Sequence, residues 1–427
     1  MVSIDDIKAI ILEQRNVLTG LMESENIIGR ELPLSVLDLV TGVANIITGP
    51  RRSGKSIFAF QILQGTESAY INFDDERLNI SAEDLNHVLE AMYQLYKTPE
   101  IIVLDEIQNV AGWEKFASRL VTNKKLIITG SNSRLMSREL ATYMTGRHVN
   151  RELYPFSFRE FLDYVAAPPV GSVLTTEERA MLKSNLERYL ITGGFPLAIK
   201  AGKNFLLDLY RDILEHDVIQ RYNINMKSKL RDLARYLISN ASSEITYNRL
   251  RRILNVSGKS TIQNWISFLE NSYLVVIVER FSFKLKESMI APKKVYAVDT
   301  GIINMLTFGF EKGRIIENAV LIQLLRNRSY TGTNFEINYW KDHSGREIDF
   351  VVRKGRKVID LINVTYASSR EEIRDREIDS LVKGSEELRC TNLQIITWDY
   401  HSEENLGGKV IKFIPLWKWL LLPVQQS

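Results

Sequence analysis

A single cysteine in 427 residues, Cys390, excludes an intramolecular disulfide and a cysteine-built zinc site. No stretch approaches the roughly 18 consecutive apolar residues of a membrane span. The longest apolar runs, such as residues 273–278, are strand-sized. The opening Met-Val-Ser-Ile-Asp-Asp-Ile-Lys mixes charges of both signs and lacks the apolar centre of a signal peptide. There is no internal repeat and no low-complexity segment. These absences predict a cytoplasmic chain with no membrane partner. What is present is the composition of packed globular protein, 45% hydrophobic and 25% charged, long enough for two or three domains.

The formal net charge of +3 conceals an uneven distribution. Residues 221–294 hold 14 Lys/Arg against 5 Asp/Glu, a local excess of nine that leaves the rest of the chain acidic. A basic middle between acidic ends points to a polyanion contact, with a solvated basic surface as the competing reading.

Residues 1–40 carry a helical, amphipathic pattern with Ile7, Ile10, Ile11 and Leu18 on one side. Strands at 43–48, 69–73, 101–104 and 126–129 then alternate with helices at 56–63, 85–96 and 113–121. That alternation predicts an α/β fold built on a parallel sheet with crossover helices. Residues 175–240 are mainly helical, interrupted by Gly193-Gly194-Phe195-Pro196. From 295 onward strands and helices mix again, with hairpins near Ser344-Gly345 and Lys354-Gly355.

Residues 49–56, Gly-Pro-Arg-Arg-Ser-Gly-Lys-Ser, stand between an apolar strand and a helix, the setting in which a phosphate-binding loop works. Glycines at 49 and 54 let backbone N–H groups wrap phosphates, and the helix N-terminus adds a positive dipole end. The nucleotide-binding candidates are Gly49, Pro50, Arg51, Arg52, Ser53, Gly54, Lys55, Ser56 and Ile57. Lys55 is expected on the β- and γ-phosphates of ATP and the Ser56 hydroxyl on Mg²⁺. The strand at 101–104 ends in Asp105-Glu106, which supplies a second Mg²⁺ ligand, Asp105, and a water-activating carboxylate, Glu106.

The next strand ends in Thr129-Gly130-Ser131-Asn132. Asn132 is the candidate for contacting the γ-phosphate or the water, with Ser131 the alternative and a plain turn residue the competing reading. Arg147 follows a helical stretch at 138–144. It is either an arginine finger that completes a neighbouring subunit's site in a homo-oligomer or a cap on that helix's C-terminus.

The phosphate loop, Tyr-Ile-Asn-Phe-Asp-Asp-Glu-Arg-Leu at 70–78, Leu-Asp-Glu-Ile-Gln-Asn-Val-Ala-Gly-Trp-Glu at 104–114, Thr-Gly-Ser-Asn-Ser at 129–133, Thr-Gly-Arg at 145–147 and Leu-Tyr-Pro-Phe-Ser-Phe-Arg-Glu-Phe at 153–161 together resemble one family. It is the family of bacterial and archaeal AAA+-like ATP-binding proteins with an uncharacterised C-terminal domain. The resemblance runs through most of the chain. It implies an ASCE-type ATPase core at 1–165, a helical lid at 166–225, a winged helix at 226–294 and a restriction-endonuclease-like domain at 295–427. No settled biological role comes with it.

Residues 246–254 and 259–270 are expected as two helices joined by Val256-Ser257-Gly258, with wing strands in 273–283. Lys259, Ser260, Gln263 and Asn264 fall on the exposed start of the second helix, where DNA bases or phosphates are contacted, and Arg249, Arg251 and Arg252 suit backbone phosphates. A lid or interdomain packing role is the competing reading. In the C-terminal part, Glu317 and Asp349 resemble two acidic residues of the restriction-endonuclease-like metal site. That fold needs a further Glu-x-Lys on the next strand, where this chain has Asn363-Val364-Thr365. An amide and a hydroxyl supply neither the charge nor the base, so the domain is expected to be inactive as a nuclease. The expected function is an Mg²⁺-dependent ATPase that acts on DNA, with an ATP-driven switch and an ATP-dependent nuclease as its rivals.

Overall fold

Continuous apolar runs such as Ile-Ile-Val-Leu and Ala-Asn-Ile-Ile form strands that are buried on both faces, as a helix-covered parallel sheet requires. The computed structural model describes residues 2–423 except 25, 34–36, 38, 64, 133–141, 172, 308 and 310. The chain divides into two compact units, Met1–Tyr154 and Pro155–Ser427.

The first unit holds β1 (Ala44–Thr48), β2 (Ser68–Asn72), β3 (Ile101–Asp105), β4 (Lys125–Gly130) and β5 (His148–Glu152), all parallel, in the order β2-β3-β4-β1-β5. Helices α1 (Ile4–Ser24), α2 (Lys55–Leu63), α3 (Leu85–Tyr96) and α4 (Trp113–Leu120) cover it. Ile7, Ile10 and Ile11 of α1 join Val88 and Met92 of α3 and Phe116 of α4 in one core. Each such side chain stabilises the unit by about 1.5–3 kcal/mol on burial. The expected helix at 1–40 is shorter than its pattern, and α1 ends at Ser24. The β5 strand was not legible, because His-Val-Asn-Arg-Glu is a half-buried edge strand with no apolar run.

The strand order positions the site. β4 lies between β1 and β3, so the loop after β1, the acidic pair after β3 and the tip after β4 gather at one sheet edge. Ligands in open α/β sheets bind at that carboxyl edge.

In the second unit, helices Phe158–Tyr164 and Thr176–Thr192 begin with capping boxes, Ser157/Glu160 and Thr175/Glu178. Helices Pro196–Ala201 and Lys203–Asp212, a π-helical segment Ile213–Gln220 and helix Lys227–Ser239 follow. Strands β6 (Ser243–Ile245), β7 (Val275–Glu279) and β8 (Lys293–Ala297) form an antiparallel sheet, β6-β8-β7, with helices Tyr247–Ile253 and Lys259–Asn271 beside it. The strand pair expected within 273–283 is therefore only half there: β7 lies inside that range and its partner β8 beyond it. Ser282 Oγ accepts from Lys284 N and donates to Glu287, which starts the helical turn Leu285–Ile290 between β7 and β8. The boundary expected after residue 294 falls inside β8.

Past helices Thr300–Leu306 and Lys312–Thr331 comes a six-stranded mixed sheet, β13-β14-β12-β11-β10-β9. Its strands are β9 (Glu336–Lys341), β10 (Glu347–Lys354), β11 (Lys357–Val364), β12 (Leu393–Thr397), β13 (Ser402–Leu406) and β14 (Lys409–Pro415). Helix Asp375–Leu388 packs Ile378 and Leu381 against Ile348 and Leu361 of this sheet. Gly345 and Gly355, with φ of +83° and +58°, turn the two expected hairpins.

Candidate nucleotide site

The phosphate loop starts where β1 ends. Gly49 adopts φ +145°, and a Cβ there would come 2.3 Å from the Leu153 carbonyl oxygen, so only glycine fits. Gly54 takes φ +95° and opens α2, with Phe58 N donating to Gly54 O at 2.9 Å. Arg52 is exposed at φ +65°, a turn position within the loop, and Arg51 and Ile57 are half-buried. The Pro50 carbonyl accepts from Ser53 N at 3.3 Å.

Lys55 is 4% exposed. Its ammonium donates to Gly49 O at 3.1 Å and Pro50 O at 2.9 Å, folded back on the loop that it serves. It also stands 3.7 Å from Glu106 Oε1. Glu106 sits in the left-handed region at φ +51°, the strained backbone typical of functional turns. Its Oε2 accepts from Ser131 N at 3.0 Å and from the Gln108 amide. Burial alone pushes this carboxyl up, but the Lys55 ammonium, Gln108 and Ser131 N–H outweigh it and hold Glu106 below the ordinary range.

Asp105 has the opposite environment. It is fully buried, and its carboxylate accepts from the hydroxyls of Thr129 and Tyr70, with the Ser56 hydroxyl also in hydrogen-bonding reach. Burial, then the neighbouring Glu106 charge, pushes its carboxyl up. Hydroxyls rather than a cation surround it, so a divalent ion here would gain a buried carboxylate and the Ser56 oxygen together. That donor set fits Mg²⁺, a hard cation taking oxygen ligands.

Ser131 and Asn132 are both buried behind the β4 tip. Ser131 contributes its backbone N–H to Glu106, and Thr129 holds both Asp105 and, at 3.2 Å, Glu106 N. Arg147 precedes β5, whose first residue pairs with Ala44 at the start of β1, so it lies at the sheet edge away from the phosphate loop. Its guanidinium donates to Ser118 Oγ and Tyr143 O, both at 2.9 Å. The helix expected at 138–144 lies largely outside the described residues.

Four residues escaped the sequence reading. Gln108 and Thr129 were visible only as neighbours of the acidic pair. Tyr70 opens the 70–78 stretch on β2, and nothing in that stretch marked its reach to Asp105 on the neighbouring strand. Arg30 sits in no motif, yet it donates to Ser53 O at 2.9 Å and Tyr154 O at 2.6 Å, bracing the loop from outside.

In the second unit Arg249, Arg252, Lys259, Ser260, Gln263 and Asn264 are exposed and Arg251 half-exposed. None of the four cations makes an ion pair with a described residue; Arg251 donates to Ser257 O and Lys259 lies over the Tyr247 ring. Glu317 and Asp349 come together, both on the Lys294 ammonium, at 3.0 and 2.9 Å. Asn363 is fastened inside the fold: its amide donates to Glu377 O and Ser380 Oγ and its oxygen accepts from Asp349 N. Thr365 bonds Glu377. Among the described residues no helix is long and apolar enough to cross a membrane.

A β4 strand between the phosphate-loop and acidic-pair strands, with Lys55, Ser56, Asp105 and Glu106 at one edge, defines a P-loop ATPase-type nucleotide fold. Family models agree with this: residues 42–162 match an AAA domain, 183–312 a domain of unknown function (DUF8612) and 312–419 a domain of unknown function (DUF4143). An uncharacterized protein of Methanocaldococcus jannaschii, MJ1544, is 31% identical over 92% of this chain and 91% of its own length. An uncharacterized protein of Haemophilus influenzae is 28% identical over 89% of this chain and 95% of its own. The chain belongs to this P-loop, AAA+-like family of ATP-binding proteins, which ends in an uncharacterised domain. The Walker-type ATPase PABY2304 of Pyrococcus abyssi, 16% identical, covers 69% of this chain and 94% of its own at a TM-score of 0.43, too low to support any further comparison.

Proposed function

We propose that the chain is an Mg²⁺-dependent ATPase whose cycle is coupled to DNA through the helix pair Tyr247–Ile253 and Lys259–Asn271. The observation that carries the chemistry is the Glu106 carboxylate, held ionised beside Lys55 at the end of β3. In this reading the backbone N–H groups of 49–56 cradle the phosphates, and Lys55 turns from Gly49 O and Pro50 O onto the β- and γ-phosphates. Ser56 and Asp105 would hold Mg²⁺, which when bound would supply positive charge for the phosphoryl oxygens. Glu106 orients the attacking water and takes its proton, and Gln108 and Ser131 N fix the carboxylate's direction. Support for the DNA half is the set of cations on the exposed helix face that make no ion pair with a described residue.

ATP turnover measured with and without branched, duplex and single-stranded DNA tests both halves. Lys55→Ala is expected to abolish turnover, and Glu106→Gln to bind ATP while turning over about 100-fold more slowly. DNA that neither stimulates turnover nor binds at low salt would remove the second half. A slow ATP-driven switch is the second reading, favoured by the bond that Gln108 makes to Glu106. A stoichiometric burst with no steady turnover identifies it.

A further inference from the structure

The C-terminal fold resembles one whose acidic residues hold a catalytic divalent cation, and in this chain the position is filled from within. Lys294 is 2% exposed. Its Nζ lies 2.7 Å from Glu347 Oε1, 2.9 Å from Asp349 Oδ1 and 3.0 Å from Glu317 Oε1. An ammonium has three N–H donors, and three carboxylates receive them, leaving none spare. Further donors fasten the same three carboxylates. Asp349 Oδ2 accepts from Val364 N at 2.9 Å, and Tyr296 OH donates to Glu317 Oε1 at 2.7 Å. Lys341 spans from Glu347 Oε2 to Glu244 Oε2, at 3.0 Å each. These N···O spacings are those of charge-assisted hydrogen bonds. Among the described residues no group of three such side chains is arranged around a metal position.

We infer that Lys294 is a built-in cation that has replaced the divalent ion of the C-terminal fold and locks β8 of the three-stranded sheet onto the six-stranded sheet. The lock has a second strut: Phe281 N donates to Tyr339 O at 2.6 Å, and a bridge joins Arg280 to Tyr339. Glu317, from helix Lys312–Thr331, and Glu347 and Asp349, from β10, are held to β8 by one ammonium. Removing one partner of such a buried cluster leaves uncompensated charge, which is costly unless another cation enters. The cluster therefore has a latent preference for a divalent ion that the native chain never expresses. This inference is independent of the ATPase reading and of the DNA face.

The test is thermal unfolding of the full chain with Mn²⁺ titrated against EDTA, without nucleotide. Wild type and Asp349→Asn are expected to respond identically to Mn²⁺, since the native cluster takes none. Lys294→Ala is expected to melt lower than wild type in EDTA and to regain much of the loss with Mn²⁺, and Lys294→Ala/Asp349→Asn to regain little. A wild-type Mn²⁺ response abolished by Asp349→Asn overturns the inference. So does a Lys294→Ala protein that folds but is indifferent to Mn²⁺. If Lys294→Ala does not fold in EDTA, refolding from denaturant in Mn²⁺ replaces the melt: recovery supports the lock, and the wild-type comparison still decides against it if Mn²⁺ binds there.

Discussion

Lys55 Nζ lies 3.7 Å from the Glu106 carboxylate although the two residues leave different strands, with β4 between them. Both are nearly buried, and the Lys55 ammonium is the chief influence that offsets the cost of burying the Glu106 carboxylate. A double-mutant cycle on Lys55→Met and Glu106→Gln, read by denaturant unfolding of the nucleotide-free protein, is expected to give a coupling energy of about 1–3 kcal/mol. Lys55→Met alone strands a buried carboxylate and is the most destabilised corner. A coupling near zero would mean that each charge is compensated by its own hydrogen bonds, Lys55 on Gly49 O and Pro50 O and Glu106 on Gln108 and Ser131 N.

Gly49 is the next point where geometry leaves no choice. A methyl group at φ +145° would meet the Leu153 carbonyl at 2.3 Å, and that carbonyl is backbone, following a strand residue paired to β1. Gly49→Ala is expected to destabilise the first unit by about 2 kcal/mol or more and to weaken ATP binding, because the loop must shift to relieve the clash. Gly54→Ala meets only the end of the Arg30 side chain, at 3.3 Å, but still carries the strain of φ +95°. Melting temperature and fluorescent-nucleotide affinity, measured on both variants, should rank Gly49→Ala as the worse.

The nucleotide site was largely legible in the sequence and its supports were not. Lys55, Ser56, Asp105 and Glu106 could be singled out because a phosphate loop needs fixed residue types at fixed spacing after a strand, and the sheet brings them to one edge. Gln108, Thr129 and Tyr70 act by where the sheet places them, and no spacing rule links Tyr70 to Asp105 across 35 positions. Strands with apolar runs were found to within a residue or two, and β5 was missed because its residues are polar. Lys294 was read only as one basic residue in a basic stretch. Its three carboxylate partners are separated from it by 23, 53 and 55 positions, so only the fold brings them together.

Asp299 gives a pH-dependent term that can be isolated. It is buried, accepting from Gly194 N at 2.7 Å and Gly301 N at 2.9 Å, and burial pushes its carboxyl from 3.8 up to about 6 despite those bonds. The native state therefore binds this proton more tightly than the unfolded chain does. Its contribution is fully present below about pH 4 and is lost as pH rises through about 6, a change of up to about 3 kcal/mol. Asp299→Asn is expected to flatten unfolding free energy against pH in that window. It also replaces one acceptor oxygen with an NH₂ group facing a backbone N–H, so its melting temperature should fall. An unchanged slope in the variant would assign the pH dependence elsewhere.

The exposed face of helices Tyr247–Ile253 and Lys259–Asn271 makes a prediction about salt rather than about affinity alone. Arg249, Arg252 and Lys259 are exposed cations without described ion-pair partners, so they are free to displace counterions from a phosphate backbone. Each phosphate contact contributes about 0.9 to the slope of log K against log salt for duplex DNA. Arg249→Ala, Arg252→Ala and Lys259→Ala are each expected to weaken duplex binding similarly across sequences, and each to make that slope shallower by up to about 0.9. Gln263→Ala, an uncharged change on the same face, should leave the slope alone and act only where a base edge is read. Filter binding or anisotropy from about 50 to 200 mM salt separates the two effects. Slopes equal to wild type in all three charge variants would place the DNA contact, if there is one, on another surface.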